Sequence, residues 1–107
     1  MALIVASVSL EMVAAVRPLV PRIKRHDRSL ADQLVRAASS VALNVAEAEY
    51  SDPGNKRARF FTAAGSANES LAALRVAVAW GYFAAGEAEE AERLLRRVLG
   101  MLWRLTR

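Results

Sequence analysis

The chain has 107 residues, enough for one domain around a single core. It contains no cysteine, which excludes disulfides and thiolate metal sites and suits a reducing compartment. A formal charge of +4 permits contact with nucleic acid or an anionic surface without demanding it. Hydrophobic residues make up 54%, much of the excess alanine, which favours helices that pack closely.

In chain order, the opening segment MALIVASVSLEMVAAVRPLVP is helical in period. It lacks a positively charged leader, Glu11 interrupts its apolar run, and no stretch approaches the roughly 20 residues of a membrane span. It reads as part of a soluble, cytoplasmic fold with no membrane partner. The first helix is predicted over 3–25, where Pro18 and Pro21 each remove a backbone donor and impose a kink or early end near 17–21. His26-Asp27-Arg28-Ser29 then breaks the pattern, with Ser29 predicted to cap the next helix and Asp32 at its third position.

The second helix is predicted over 29–50. Ser51-Asp52-Pro53-Gly54-Asn55 ends it, with Asp52 as the next cap and Pro53 at the first helical position. The third runs over 54–82 and stops in the segment from Gly81 to Gly86. The fourth, over 87–106, places Glu87, Glu89, Glu90 and Glu92 early and Arg93, Arg96, Arg97, Arg104 and Arg107 late, as the helix dipole prefers. No window shows sustained strand alternation. Short connections favour antiparallel neighbours, so the expected fold is all-α, an up-down-up-down four-helix bundle over 1–107.

Two stripes on these helices bear on function. In the last helix Leu94, Leu95, Val98, Leu99, Met101, Leu102, Trp103 and Leu105 cover about half the circumference. A core-facing helix needs a stripe little wider than about 100°, so the surplus predicts self-association. In the second helix, Leu30, Leu34, Ala38, Val41 and Val45 form the core stripe. A polar stripe of Gln33, Arg36, Ser40, Asn44 and Glu47 lies about a quarter-turn away. An antiparallel hairpin about residues 51–54 sets Arg36 against Glu69, Ser40 against Gly65, and Asn44 against Phe60 or Phe61. Gly65, Ser66 and nearby alanines then permit close helix packing. The stripe reads either as hydrogen bonds that set register within and between subunits, or as a ligand or catalytic row. Asn44, Glu47 and Glu69 have no nucleophile-base arrangement beside them.

Glu47 with Glu69 lacks the Glu-x-x-His pattern of di-iron bundles, and the one histidine, His26, falls in a charged loop. No P-loop, dinucleotide fingerprint or nucleophile elbow occurs. The chain therefore reads as a non-enzyme without metal or cofactor. Arg17, Arg22, Lys24, Arg25 and Arg28 are expected to be offset by Asp27, Asp32 and the glutamates of residues 87–92. Lys56, Arg57, Arg59, Arg104 and Arg107 outweigh Glu47, Glu49 and Asp52 at the opposite end, which makes them the candidate nucleic-acid-binding residues. Trp80, Tyr82, Phe83 and Trp103 read as core or interface residues rather than as an organised stacking platform.

The strings SLADQLVRAASSVALNVAEA and AAGSANESLAALRVAVAWGY resemble the two signature regions of the four-helix-bundle proteins encoded in 23S ribosomal RNA intervening sequences. The matching residues are Gln33, Arg36-Ala37, Ser40-Val41, Asn44-Val45-Ala46-Glu47, Gly65-Ser66 and Glu69. Ala48 stands where that family usually has glycine, so the second helix is expected to continue through Glu49 and Tyr50, and Phe60-Phe61 sit one position out of the usual register. The resemblance implies a helical bundle assembling as a closed ring, commonly a homopentamer, with no established enzymatic activity. The accessory protein of diversity-generating retroelements is similar to the same family. It is a basic pentamer that binds nucleic acid and a reverse transcriptase. The leading functional expectation is thus a homo-oligomeric adaptor that contacts RNA or DNA through phosphates. A protein-interaction scaffold without a nucleic-acid role is the alternative, and an enzyme with its site at the polar stripe between subunits is a third reading.

Overall fold

The computed structural model describes residues 2–107. Helix α1 (Ala2–Val16) passes through one 3-10 turn at Arg17–Leu19 into the short α2 (Val20–Lys24), and together they form the first rod. Pro18 and Pro21 each sit within the first two positions of the turn and of α2. A missing backbone donor costs nothing there, so the predicted interruption is a clean restart. Val5, Val8, Met12, Val16, Leu19 and Ile23 remain buried along one side through the break. Contrary to the sequence expectation, Ile4–Lys24 is long and apolar enough to cross a membrane by length and composition. In this fold its buried stripe forms one wall of the core.

Helix α3 (Arg28–Ala48) is capped by Asp27, not by Ser29. Asp27 has extended backbone at φ −155°, and its carboxylate accepts from the Leu30 amide at 3.0 Å. Ser29 already lies inside the first turn. The helix also ends earlier than expected: Glu49 and Tyr50 belong to a turn rather than to its last residues. The Tyr50 amide donates to Glu47 and the Ser51 amide to Ala48, tightening the end into i→i+3 bonds. The Ser51 hydroxyl also takes the Glu47 carbonyl at 3.0 Å. Pro53 disfavours helical geometry at Asp52, which is extended at ψ 164°.

That extended Asp52 caps α4 (Pro53–Trp80) by accepting from the Asn55 amide at 3.0 Å. The same bond holds the Asp52 carboxyl below its ordinary pKa. Gly81 terminates α4 in the left-handed region at φ 81°, and the Tyr82 amide closes the end on the Ala77 carbonyl. A 3-10 turn at Ala85–Ala88 then leads into α5 (Glu89–Leu105).

The α3–α4 contact is the most extensive, followed by α4–α5 and α1–α5, with α1 and α2 completing the ring against α3. The four rods, 42 × 22 × 19 Å in overall extent, enclose one core filled by Met12, Ile23, Leu34, Phe60, Leu74, Leu95 and Leu102. The broad apolar arc of α5 is mostly spent inside this core, which corrects the surplus expected from the sequence. Leu94, Leu95, Val98, Met101 and Leu102 are buried, Leu99 and Leu105 are half-buried, and Trp103 alone of the eight is exposed. Because α5 lies between α1 and α4, two neighbours divide the arc. Apolar side chains are also open on other helices, among them Leu10, Val35 and Leu43 on α1 and α3.

Gly65 is exposed, and a Cβ built there meets nothing within 4 Å, so its expected role in close packing is not borne out. Gly65→Ala should therefore stabilise the fold by about 0.5–1 kcal/mol through helix propensity. Asp27→Ala should cost about 1 kcal/mol while Ser29→Ala changes little. Chemical denaturation of the three variants checks both statements.

Candidate nucleic-acid interface

The polar stripe divides into two parts. Ser40 and Ser66 bring their hydroxyls to 2.7 Å across α3 and α4. The Asn44 amide donates to the Ser40 carbonyl at 2.9 Å and to its hydroxyl at 3.1 Å. Arg59 pairs with Glu47 and reaches the Asn44 side-chain oxygen at 3.5 Å. Falling numbers on α3 thus meet rising numbers on α4, so these two helices run antiparallel. The register is close to the expected one: Ser40 meets Ser66, one position after Gly65, and Asn44 meets Arg59, just before Phe60 and Phe61.

Gln33, Arg36 and Glu69 form the other part, and all three are exposed. Arg36 and Glu69 make no ion pair within 4.0 Å among the described residues, which overturns the expected pairing. The layer meant for that pair lies outside the seam, where water solvates both charges.

At the end that holds the α2–α3 connection, Arg22 pairs with Glu87 and the His26 ring stacks on Tyr82 at 4.8 Å. The Ala84 amide first, and Arg22 second, hold the Glu87 carboxyl below its ordinary pKa. Two of the other glutamates at this end are engaged on their own helix: Glu90 pairs with Arg93 and Glu92 with Arg96, one turn away. Lys24, Arg25 and Arg28 are exposed and make no ion pair among the described residues.

At the opposite end Arg57 ties two helix termini together. Its Nε donates to the Thr106 carbonyl at 3.0 Å, and its guanidinium lies 5.0 Å from the Phe61 ring centroid. The guanidinium of Arg107 lies 3.7 Å from the Trp103 centroid. Lys56, Arg57, Arg104 and Arg107 are thereby gathered as the sequence implied. Arg59 departs from the group, since Glu47 engages its charge. Asp52 is occupied as a cap, and one Glu49 carboxylate oxygen is buried without a hydrogen-bond partner.

Sequence reasoning missed the aromatic side chains at this end. Phe61 is 51% exposed, Trp103 60% and Tyr50 92%, so neither tryptophan nor Phe61 is core. Trp80 is also exposed, whereas Phe83 is buried. The available signal was spacing: Arg57 and Phe61 are four residues apart on α4, and Arg107, just past the end of α5, is four residues after Trp103.

This division of the polar stripe has measurable consequences. Arg36→Ala and Glu69→Ala should each change stability by less than about 0.5 kcal/mol, as exposed unpaired charges do. Ser66→Ala should cost about 0.5–1.5 kcal/mol, because it removes one interhelical hydrogen bond while Asn44 still serves Ser40. Equilibrium unfolding in urea distinguishes the two classes.

Among solved structures, the chain is similar to a protein with unknown function from the S23 ribosomal protein family from Bacteroides thetaiotaomicron. The TM-score is 0.88 over 96% of this chain and 98% of that one, at 19% identity, a likeness of fold. No curated protein matches the chain. The sequence profile of the 23S rRNA-intervening sequence protein family matches residues 1–104. With nearly every residue inside that match and an all-helical fold of four rods, the chain belongs to the 23S rRNA-intervening sequence protein family.

Proposed function

We propose that this protein is a non-enzymatic, cytoplasmic adaptor. In this reading it is an up-down-up-down bundle that assembles as a homo-oligomeric ring and binds nucleic-acid phosphates through its basic end. The observation that carries the reading is the bond from Arg57 to Thr106, which draws Lys56, Arg57, Arg104 and Arg107 to one end. Each copy in a ring repeats that charge, and phosphate affinity grows with the number of cations engaged. The family resemblance supports a pentamer, and a reverse transcriptase or other protein as a further partner.

Self-association draws support from an apolar groove of about 440 Å³ between the first rod and α3, lined by Leu10, Val13, Val20 and Val35. Leu10 is 65% exposed there, an arrangement that a second apolar surface would relieve. The same groove favours the alternative reading, a protein-interaction scaffold without a nucleic-acid role.

The native mass in solution should be a multiple of 11.7 kDa, and Leu10→Asp should lower it. A native mass of one chain refutes the ring. Binding to RNA or DNA should weaken steeply with salt, with a log–log slope of roughly −3 to −4 for four cations, and vary little with sequence. The double charge reversal Lys56→Glu/Arg57→Glu should weaken binding at least about tenfold, and Lys24→Glu/Arg25→Glu less, because only the first pair adjoins Arg104 and Arg107. Fluorescence anisotropy at two salt concentrations measures both effects. No binding at low salt leaves the scaffold reading in first place.

A further inference from the structure

We infer that the ligand of the basic end is single-stranded nucleic acid, whose bases stack on Trp103 and Phe61 while its phosphates meet the surrounding cations. This rests on the phosphate-binding reading above and narrows its substrate class. Two aromatic rings lie there, each with a guanidinium against one face, and a single hydrogen bond links the two helix ends that carry them. Phe61 lies under Arg57, Arg57 bonds to Thr106, and the adjoining Arg107 lies over Trp103. Each guanidinium covers one side of its ring, and both aromatic residues are more than half exposed. Tyr50, almost fully exposed in the turn before Asp52, adds a third ring at the same end.

The chemistry of this end narrows what it can recognise. Cations alone suit any polyanion, including duplex nucleic acid, because the phosphate backbone is accessible in all of them. Exposed rings gain nothing from a duplex, whose bases are already stacked on one another. An unpaired strand offers both anionic phosphates and free π-faces, at a spacing that follows one backbone. Arginine beside each ring serves both functions, since a guanidinium can pair with phosphate and stack beside a base. Stacking accepts any base, because every base has a π-face, so the strand is bound with little sequence preference.

The test uses the full chain with oligo(U) RNA, oligo(dT) DNA and a mixed-sequence duplex, each of about 20 nucleotides or base pairs, longer than one such site needs. Trp80→Phe serves as the background, leaving Trp103 as the one fluorescent tryptophan. Both single strands should bind at least about tenfold tighter than the duplex and quench Trp103 emission. Trp103→Ala should weaken single-strand binding by about fivefold or more, with duplex binding unchanged and Trp103→Phe retaining much of the affinity. Circular dichroism and native mass show that each variant keeps its fold and assembly. If strands and duplex bind alike, and Trp103→Ala and Phe61→Ala change nothing while Lys56→Glu/Arg57→Glu abolishes binding, stacking is refuted and phosphate binding stands. If Trp103→Ala lowers the native mass, Trp103 is a subunit contact and the inference falls. If no probe binds at low salt, the phosphate reading itself fails.

Discussion

The hydroxyls of Ser40 and Ser66 can meet at 2.7 Å only because the helices carrying them approach on small side chains. Helix α4 turns Ala63, Ala67, Ser70, Ala73 and Ala77 inward, and α3 contributes Ala31, Ala37, Ala38 and Ala48. Close approach leaves little room for slippage, so one hydroxyl contact fixes the layers on either side. Asn44 is aligned with Arg59 and Glu47 one turn further along. Buried Ser70 returns its hydroxyl to the Ser66 carbonyl and leaves no unpaired donor in the seam. Phe60 and Leu74, the large buried residues of α4, are then free to fill the core toward the other rods. The same register positions the start of α4, where Arg57 reaches the end of α5.

Much of the fold was legible because the breaks carry local chemistry. Asp52, Pro53 and Gly81 act through their own backbone preferences, and each does in the structure what its residue type dictates. The errors share a different origin. Asp27 and Ser29 are both competent caps, and the extended backbone at Asp27 decides between them. Ala48 is a good helix former, yet the turn needed by Asp52 and Pro53 ends the helix there. The apolar breadth of α5 was read correctly as a pattern, but its meaning depends on how many neighbours the helix has. Helical period cannot supply that number.

The candidate site was legible to the same extent. Which residues gather at an end follows from topology, so the meeting of residues 56–57 with 104–107 was within reach. Which charges neutralise one another depends on side-chain reach. Glu90 and Glu92 are within a turn of Arg93 and Arg96, and this proximity outcompetes cations on another rod. Arg59 is removed from the basic group by a contact between rods, with the carboxylate of Glu47 on α3. The exposure of Phe61 and Trp103 on the single chain does not follow from residue type, since an aromatic on an apolar helix is ordinarily core. Here Phe60 takes the buried position, leaving Phe61 to face outward.

The unusual apolarity of the first rod bears on how the chain is made. Its buried stripe from Val5 to Ile23 is covered by α3 and α5, and α5 follows the other three rods in chain order. At ordinary translation rates about 4–16 s separate completion of the rod from completion of α5. Throughout that interval a 21-residue apolar segment has only part of its cover. Apolar surface exposed on a partly made chain is prone to aggregation. Arg17, Pro18 and Pro21 break that run into shorter pieces while leaving the finished stripe buried on one side.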